Sequence, residues 1–258
     1  RKTMSLKTVY LASFLGYATH GLIDACTSYG TLLFWPFSNE RVTWNNISIV
    51  DPLFTIPILI LTGTAIKTRK RLFSFFAIGW VAFYLSLGFV QYERALSALN
   101  ELAYSRGHNP ERLTLKPSFG NLILWKSIYQ HEENFYIDAI RTVRSSTWCR
   151  GESVGIFDYQ RHLPNLNKDS QQKKDIERFR WFSQDYLGFD KEKNLVTDIR
   201  YSMIPNQIAP MWGLVIDDQR DINEHAIWWA SRGLEQGQLD VFKQMLIGKN
   251  CRDSALAL

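Results

Sequence analysis

The sequence predicts a multi-pass α-helical membrane region followed by a small extramembrane α+β domain with a mostly antiparallel sheet. Three observations carry this expectation. Residues 8–92 are strongly apolar and nearly free of charge outside two short patches, whereas 93–258 are polar, charged and rich in Trp and Tyr. A helix needs about 20 apolar residues to cross a bilayer, and Thr8 to about Leu33 and Leu72 to Tyr92 both reach that length. Beyond residue 107 the apolar period shortens to that of strands separated by turn residues. The domains expected are therefore 1–106, transmembrane, and 107–258, extramembrane.

The first expected span, about 8–33, contains His20 and Asp24. The second, about 49–66 (IVDPLFTIPILILTGTAI), is marginal in length and carries Pro52 and Pro57, so a buried or re-entrant hairpin is its alternative. The third, 72–92, has no charge and continues outward as YERALSALNELAYSRG, with Gly107 at its end. Lys and Arg concentrate in cytoplasmic loops. Arg1, Lys2 and Lys7 before the first span, and KTRKR at 67–71, put both ends of the first hairpin inside. The 34–48 loop and everything after the third span then face outward, into the periplasm of a Gram-negative cell.

In the polar part, NLILWKSIYQ and NFYIDAIRTV read as a hairpin around HEE at 131–133, and SVGIFDYQ as another strand. Ser170 to Tyr186 reads as an amphipathic helix, with Ile176, Phe179 and Phe182 at helical spacing. NLVTDIRYSM, MWGLVID and HAIWWAS are further strands, and Leu234 to Ile247 is a closing helix. Much of the net charge of +5 sits in the 67–71 loop, and no basic stripe interleaves with aromatics, so no nucleic-acid partner is expected. Cys26, Cys149 and Cys251 lie far apart and suggest neither a disulfide framework nor a zinc knuckle.

The chemistry concentrates on the first span. Ionisable residues at membrane depth are expensive and mark function. His-x-x-x-Asp places His20 and Asp24 on one helix face, about 40° apart at roughly 100° per residue. Ser13, Gly16 and Thr27 share that face, which therefore points into a helix bundle. An imidazole and a carboxylate one turn apart can hold a divalent ion; the alternative is a hydrogen bond that joins two helices. Two ligands are too few for a catalytic zinc, and the other four histidines all lie beyond residue 107 without a spaced cluster. Asp51 precedes Pro52 and reads first as a helix N-cap; its alternative is a carboxylate that orients His20 or acts as a general base. Trp35, Phe37 and Trp44 read as interfacial anchors, or as a holder of a lipid headgroup. Arg41 reads as a loop charge, with a phosphate as the alternative partner.

HGLIDACTSYGTLLFWPFS followed by IVDPLFTIPI resembles the YdjM-like family of membrane-bound metal-dependent hydrolases. Residues 20–30, 35–38 and 49–53 match its H-x3-D-x2-T-x-x-G segment, W-P-F-S turn and I-V-D-P-L start in order and spacing. The likeness covers about residues 8–92, with a weaker one in NLILWKSI and RFRWFSQDY. It implies a bacterial inner-membrane hydrolase, grouped with the zinc-dependent phospholipase C and P1 nuclease class and acting on phosphoesters or phospholipids near the outer surface. It implies His20 and Asp24 as metal ligands, zinc preferred, and Thr27 and Gly30 as motif residues. It also implies upstream P-D-x-D and H-R-G-x-T-H-S elements that are missing here, so the chain reads as amino-terminally truncated, lacking half of the metal site. Two competing expectations remain open. One is a non-catalytic membrane protein whose outer domain binds a partner of unknown identity; the other is an ion-path subunit.

Overall fold

The computed structural model describes residues 4–231, 233, 236–249 and 251–253. It separates into two units, one of residues 1–94 with 116–123, the other of 95–115 with 124–258.

The first unit is built on helices. Helix α1 spans Leu6–Cys26, and its N-cap Ser5 accepts from Thr8 N–H through its side chain. Helix α2 spans Pro52–Thr68 and helix α3 Arg71–Ser105; the third contributes residues 71–94 to this unit. Arg69, left-handed at φ 60°, closes α2. Among the described residues α3 alone is long and apolar enough to cross a membrane, and α2 is a shorter apolar helix. Leu11, Leu15, Ile60, Phe75, Phe76 and Val90 are all exposed, so the helices turn apolar surface outward. Arg1 and Lys2, which entered the orientation argument, lie outside the described residues.

Helix α1 ends at Cys26, not near Leu33. The Thr27 N–H and hydroxyl both donate to Asp24 O, at 3.0 and 2.8 Å, and the chain leaves the helix in extended conformation. The loop that follows then supplies the helix end with donors. Trp44 N–H donates to Ala25 O (2.7 Å), and Asn46 and Ile47 N–H donate to Cys26 O (3.0 and 3.2 Å), so carbonyls left over at the terminus are satisfied. Cys26, Ile47, Tyr84 and Leu122 form the buried cluster of this unit, flanked by Phe54 and Trp80. Asn46 is buried, with its backbone carbonyl against α3 at Gly88; a Cβ on that glycine would lie 2.1 Å from the Asn46 oxygen.

The second unit begins with the last turns of α3. Its end is a Schellman motif: His108 N–H donates to Ala103 O and Gly107 N–H to Tyr104 O, with Gly107 at φ 74°. Strands β1 (Arg112–Pro117), β2 (Leu124–His131), β3 (Asn134–Thr142), β4 (Ser146–Cys149) and β5 (Ser153–Gly155) follow. Next come α4 (Tyr159–His162), α5 (Gln171–Phe182), β6 (Leu187–Asp190), β7 (Leu195–Asp198), β8 (Trp212–Val215), β9 (Ile227–Ala230), α6 (Gln238–Leu246) and β10 (Arg252–Asp253). One sheet runs β1-β2-β3-β4-β10, with β5 also on β3; the other runs β6-β7-β8-β9. The pairings β2–β3, β3–β4, β3–β5, β4–β10, β6–β7, β7–β8 and β8–β9 are antiparallel, as expected from the hairpin-rich sequence. His131 pairs with Asn134 across a tight turn at Glu132–Glu133.

Three local differences from the sequence reading have physical causes. The run 153–160 is a strand only to Gly155, because Asp158 caps a helical turn by accepting from Arg161 N–H at 2.8 Å. The closing helix begins at Gln238 after the left-handed Gly237, and part of the expected start, Leu234 and Glu235, lies outside the described residues. Cys149 and Cys251 form a disulfide, where the sequence spacing suggested no disulfide framework. Antiparallel pairing of β4 with β10 puts them opposite each other, although 102 residues apart in sequence. At the centre of this unit, Arg200 and Asp198 are both fully buried and joined by two hydrogen bonds of 2.9 and 2.7 Å. Gln184 Oε1 and Phe182 O take two further guanidinium N–H groups, so the buried charge is paired and four of its five N–H groups are engaged.

Candidate functional site

Helix α1 holds the candidate pair. His20 Nε2 and Asp24 Oδ2 face each other at 3.2 Å, one turn apart. Two donors about 2.0–2.1 Å from a tetrahedral zinc lie about 3.3 Å from each other, so this spacing fits two positions of one coordination shell. A neutral imidazole nitrogen and a carboxylate oxygen are also the donor types zinc takes. Their side chains are 73% and 47% exposed, so the described residues do not cover this face. Among the described residues no group of three or more His, Cys, Asp or Glu comes together to complete such a shell.

The other residues singled out by sequence have structural assignments. Thr27 ends α1 through Asp24 O, which ties the helix stop to the residue that carries the carboxylate. Gly30 sits at φ 80° where a Cβ would lie 2.5 Å from Thr43 Cγ2, beside the Thr31–Val42 bridge, so a side chain is excluded twice. Asp51 is the N-cap of α2: its Oδ1 accepts from Phe54 N–H at 3.1 Å. Arg41 donates to Tyr29 O and Gly30 O, which makes it a brace of the loop. Trp35 and Phe37 are strongly exposed, while Trp44 packs its ring 6.4 Å from Phe89.

Sequence reasoning missed the partners of Asp51. Tyr84 and Trp80, one turn apart on α3, grip the first turn of α2. The Tyr84 hydroxyl reaches both Asp51 oxygens at 3.0 and 2.9 Å, and Trp80 Nε1–H donates to Phe54 O at 3.2 Å. A Tyr and a Trp inside an apolar span carry polar atoms that need partners, and that was the available signal. Lys116 was missed as well. It is buried and donates to Ser28 O (3.1 Å) and Asn45 Oδ1 (3.2 Å), just past the carboxyl end of α1.

The first unit is therefore an apolar helical unit with a paired histidine and aspartate on one outward face, and among its described helices α3 is long and apolar enough to cross a membrane. Residues 1–95 match the model of the family described as YdjM inner membrane protein, so this part of the chain is similar to that family. No curated protein and no solved structure matches the chain.

Proposed function

We propose that this protein is a multi-pass, metal-dependent hydrolase of the bacterial inner membrane, acting on phosphoesters with a phospholipid as the substrate class. The supporting observation is the 3.2 Å approach of His20 Nε2 to Asp24 Oδ2 on an exposed face of an apolar helix. In this reading the two side chains hold a divalent ion, zinc preferred, whose Lewis acidity would polarise a phosphoryl oxygen. The described residues bring no third ligand group to the pair, so such an ion would take its remaining ligands from beyond them. Thr27 fixes where α1 stops and therefore how far Asp24 lies from the helix end. Asp51 positions α2 in this reading, because its carboxylate caps that helix and accepts the Tyr84 hydroxyl.

The same reading puts residues 107–258 on the outer side. The basic residues 67–71 at the junction of α2 and α3 support that orientation, and so does the Cys149–Cys251 disulfide, because such bonds persist in oxidising compartments. Metal analysis of the detergent-purified protein tests the metal. His20→Ala and Asp24→Asn are each expected to remove bound zinc and phosphodiesterase turnover together. Retention of metal by both variants would rule the reading out.

A second reading has its own observation. The two side chains already satisfy each other across 3.2 Å, which suits a helix-packing element in a non-catalytic protein whose outer domain binds a partner. That reading expects no stoichiometric metal in the wild-type protein.

A further inference from the structure

The second unit contains a cleft of about 410 Å³ between the end of α3 and strands β3 to β5, a size that admits a small ligand. Its wall is rigid. Arg106 forks onto Asp138 with bonds of 2.6 and 2.9 Å, and Asp138 also accepts from Gly151 N–H at 3.0 Å. Arg106 donates to the Tyr129 hydroxyl (3.1 Å), which lies 2.8 Å from His108 Nδ1. With its oxygen already accepting from Arg106, the hydroxyl gives its hydrogen to Nδ1, and the imidazole keeps its own on Nε2. Burial, then His131 and Arg106, hold the His108 imidazole below its ordinary pKa, so at pH 7 it is neutral and offers one N–H. The Tyr136 ring lies 4.5 Å from it and closes the same wall.

Two charges at the rim differ from those in the wall. Arg150 and Glu152 are exposed, two residues apart on the connection between β4 and β5, and both line the cleft. Among the described residues no hydrogen bond or ion pair engages the Arg150 guanidinium, and no ion pair joins it to Glu152. One Glu152 oxygen accepts from Ile208 N–H at 2.7 Å, which fixes the carboxylate and leaves its other oxygen available. A fork-shaped cation suits an oxyanion, a fixed carboxylate suits an ammonium, and His108 lines the same cleft as a further candidate donor.

We infer that this cleft binds a zwitterionic ligand carrying an oxyanion and an ammonium a few atoms apart, with Arg150 and His108 on the oxyanion and Glu152 on the ammonium. The inference is independent of the metal reading of His20 and Asp24. Two sources offer this chemistry, a free zwitterion and the headgroup of an ethanolamine lipid. Calorimetric titration of the full chain in detergent tests it, with phosphoethanolamine, inorganic phosphate and ethanolamine as separate probes, and mixed micelles of short-chain phosphatidylethanolamine or phosphatidylglycerol as the lipid arm. Saturable binding of phosphoethanolamine, at least tenfold tighter than phosphate or ethanolamine, supports the free ligand. Binding confined to phosphatidylethanolamine micelles supports the lipid headgroup. In either case Arg150→Gln and Glu152→Gln each weaken binding at least tenfold, and Arg178→Gln, an exposed cation on α5, leaves it unchanged. Absence of saturation in both arms, phosphate binding as tightly as phosphoethanolamine, or indifference to both cleft variants overturns the inference.

Discussion

The Tyr84 hydroxyl on α3 sits 3.0 and 2.9 Å from the two carboxylate oxygens of Asp51, the residue that caps α2. This one contact joins the start of α2 to the middle of α3 and is buried at both residues. Tyr84→Phe removes the donor and leaves a buried carboxylate with the Phe54 N–H as its remaining partner, so a loss of ~1–3 kcal/mol is expected. Asp51→Ala also loses the cap, typically ~1 kcal/mol more. Thermal unfolding in detergent measures both. Asp51→Asn keeps an acceptor for the cap and is expected to bind as much metal as the wild type. Loss of metal in that variant with unchanged stability would give Asp51 a role in the site instead.

Gly88 makes a sharper demand. A Cβ there would lie 2.1 Å from the Asn46 carbonyl oxygen, a backbone atom with little room to retreat, whereas Gly79 on the same helix has nothing within 4 Å. Gly88→Ala is expected to destabilise the protein by ~1–3 kcal/mol through overpacking, and Gly79→Ala to leave it unchanged or slightly more stable. Equal melting temperatures for the two variants in the same detergent would refute the close approach of the 44–47 loop to α3.

Residues whose structure is decided locally were legible. The i, i+4 spacing of His20 and Asp24, the Asp51-Pro52 cap, the start of α5 at Ser170 and Gly107 as the stop of α3 all follow from one or two turns of chain. What failed depends on contacts distant in sequence. Nothing within Cys149 or Cys251 announces the other, because only the pairing of β4 with β10 brings them together. The stop of α1 at Cys26 was obscured because the apolar run continues to Leu33, while the signal that ends the helix is a Thr27 hydroxyl and a loop that returns to fill the carbonyls. The adjacency of His20 and Asp24 was legible because one helix supplies both, and the described residues bring no third ligand group to them.

Lys126 gives the second unit a pH signature. It is buried on β2, with its ammonium donating to Ser202 Oγ (2.8 Å) and Gln207 O (2.7 Å). Burial, only partly offset by Glu152 and Asp198, pushes its pKa down to about 7. The unfolded lysine titrates near about 10.4. Between these values the unfolded chain binds the additional proton, so stability rises with pH across that window and is flat below about 7, where both states are protonated. The expected observation is a melting temperature that climbs from pH 7 to 9.5. Lys126→Met removes the titrating group and should flatten that climb. An identical pH profile in the variant would assign the effect to another group.

The Cys149–Cys251 bond makes the orientation of the second unit measurable in cells. The two sulfurs close a loop across 102 residues and pin β10 to the edge of a sheet, while Cys26 is a buried free thiol in the first unit. If the second unit lies outside the cytoplasm, the bond forms there and stays closed. Trapping thiols in intact cells, then denaturing and adding a maleimide polymer, should label Cys26 alone, and prior reduction should expose Cys149 and Cys251. Cys251→Ser is expected to lower stability by ~2–5 kcal/mol, and to release a second, single thiol at Cys149 to the label. Labelling of all three cysteines without reduction would put the second unit in a reducing compartment, and the proposed outward placement would fail with it, because the basic 67–71 loop would then stand alone as its support.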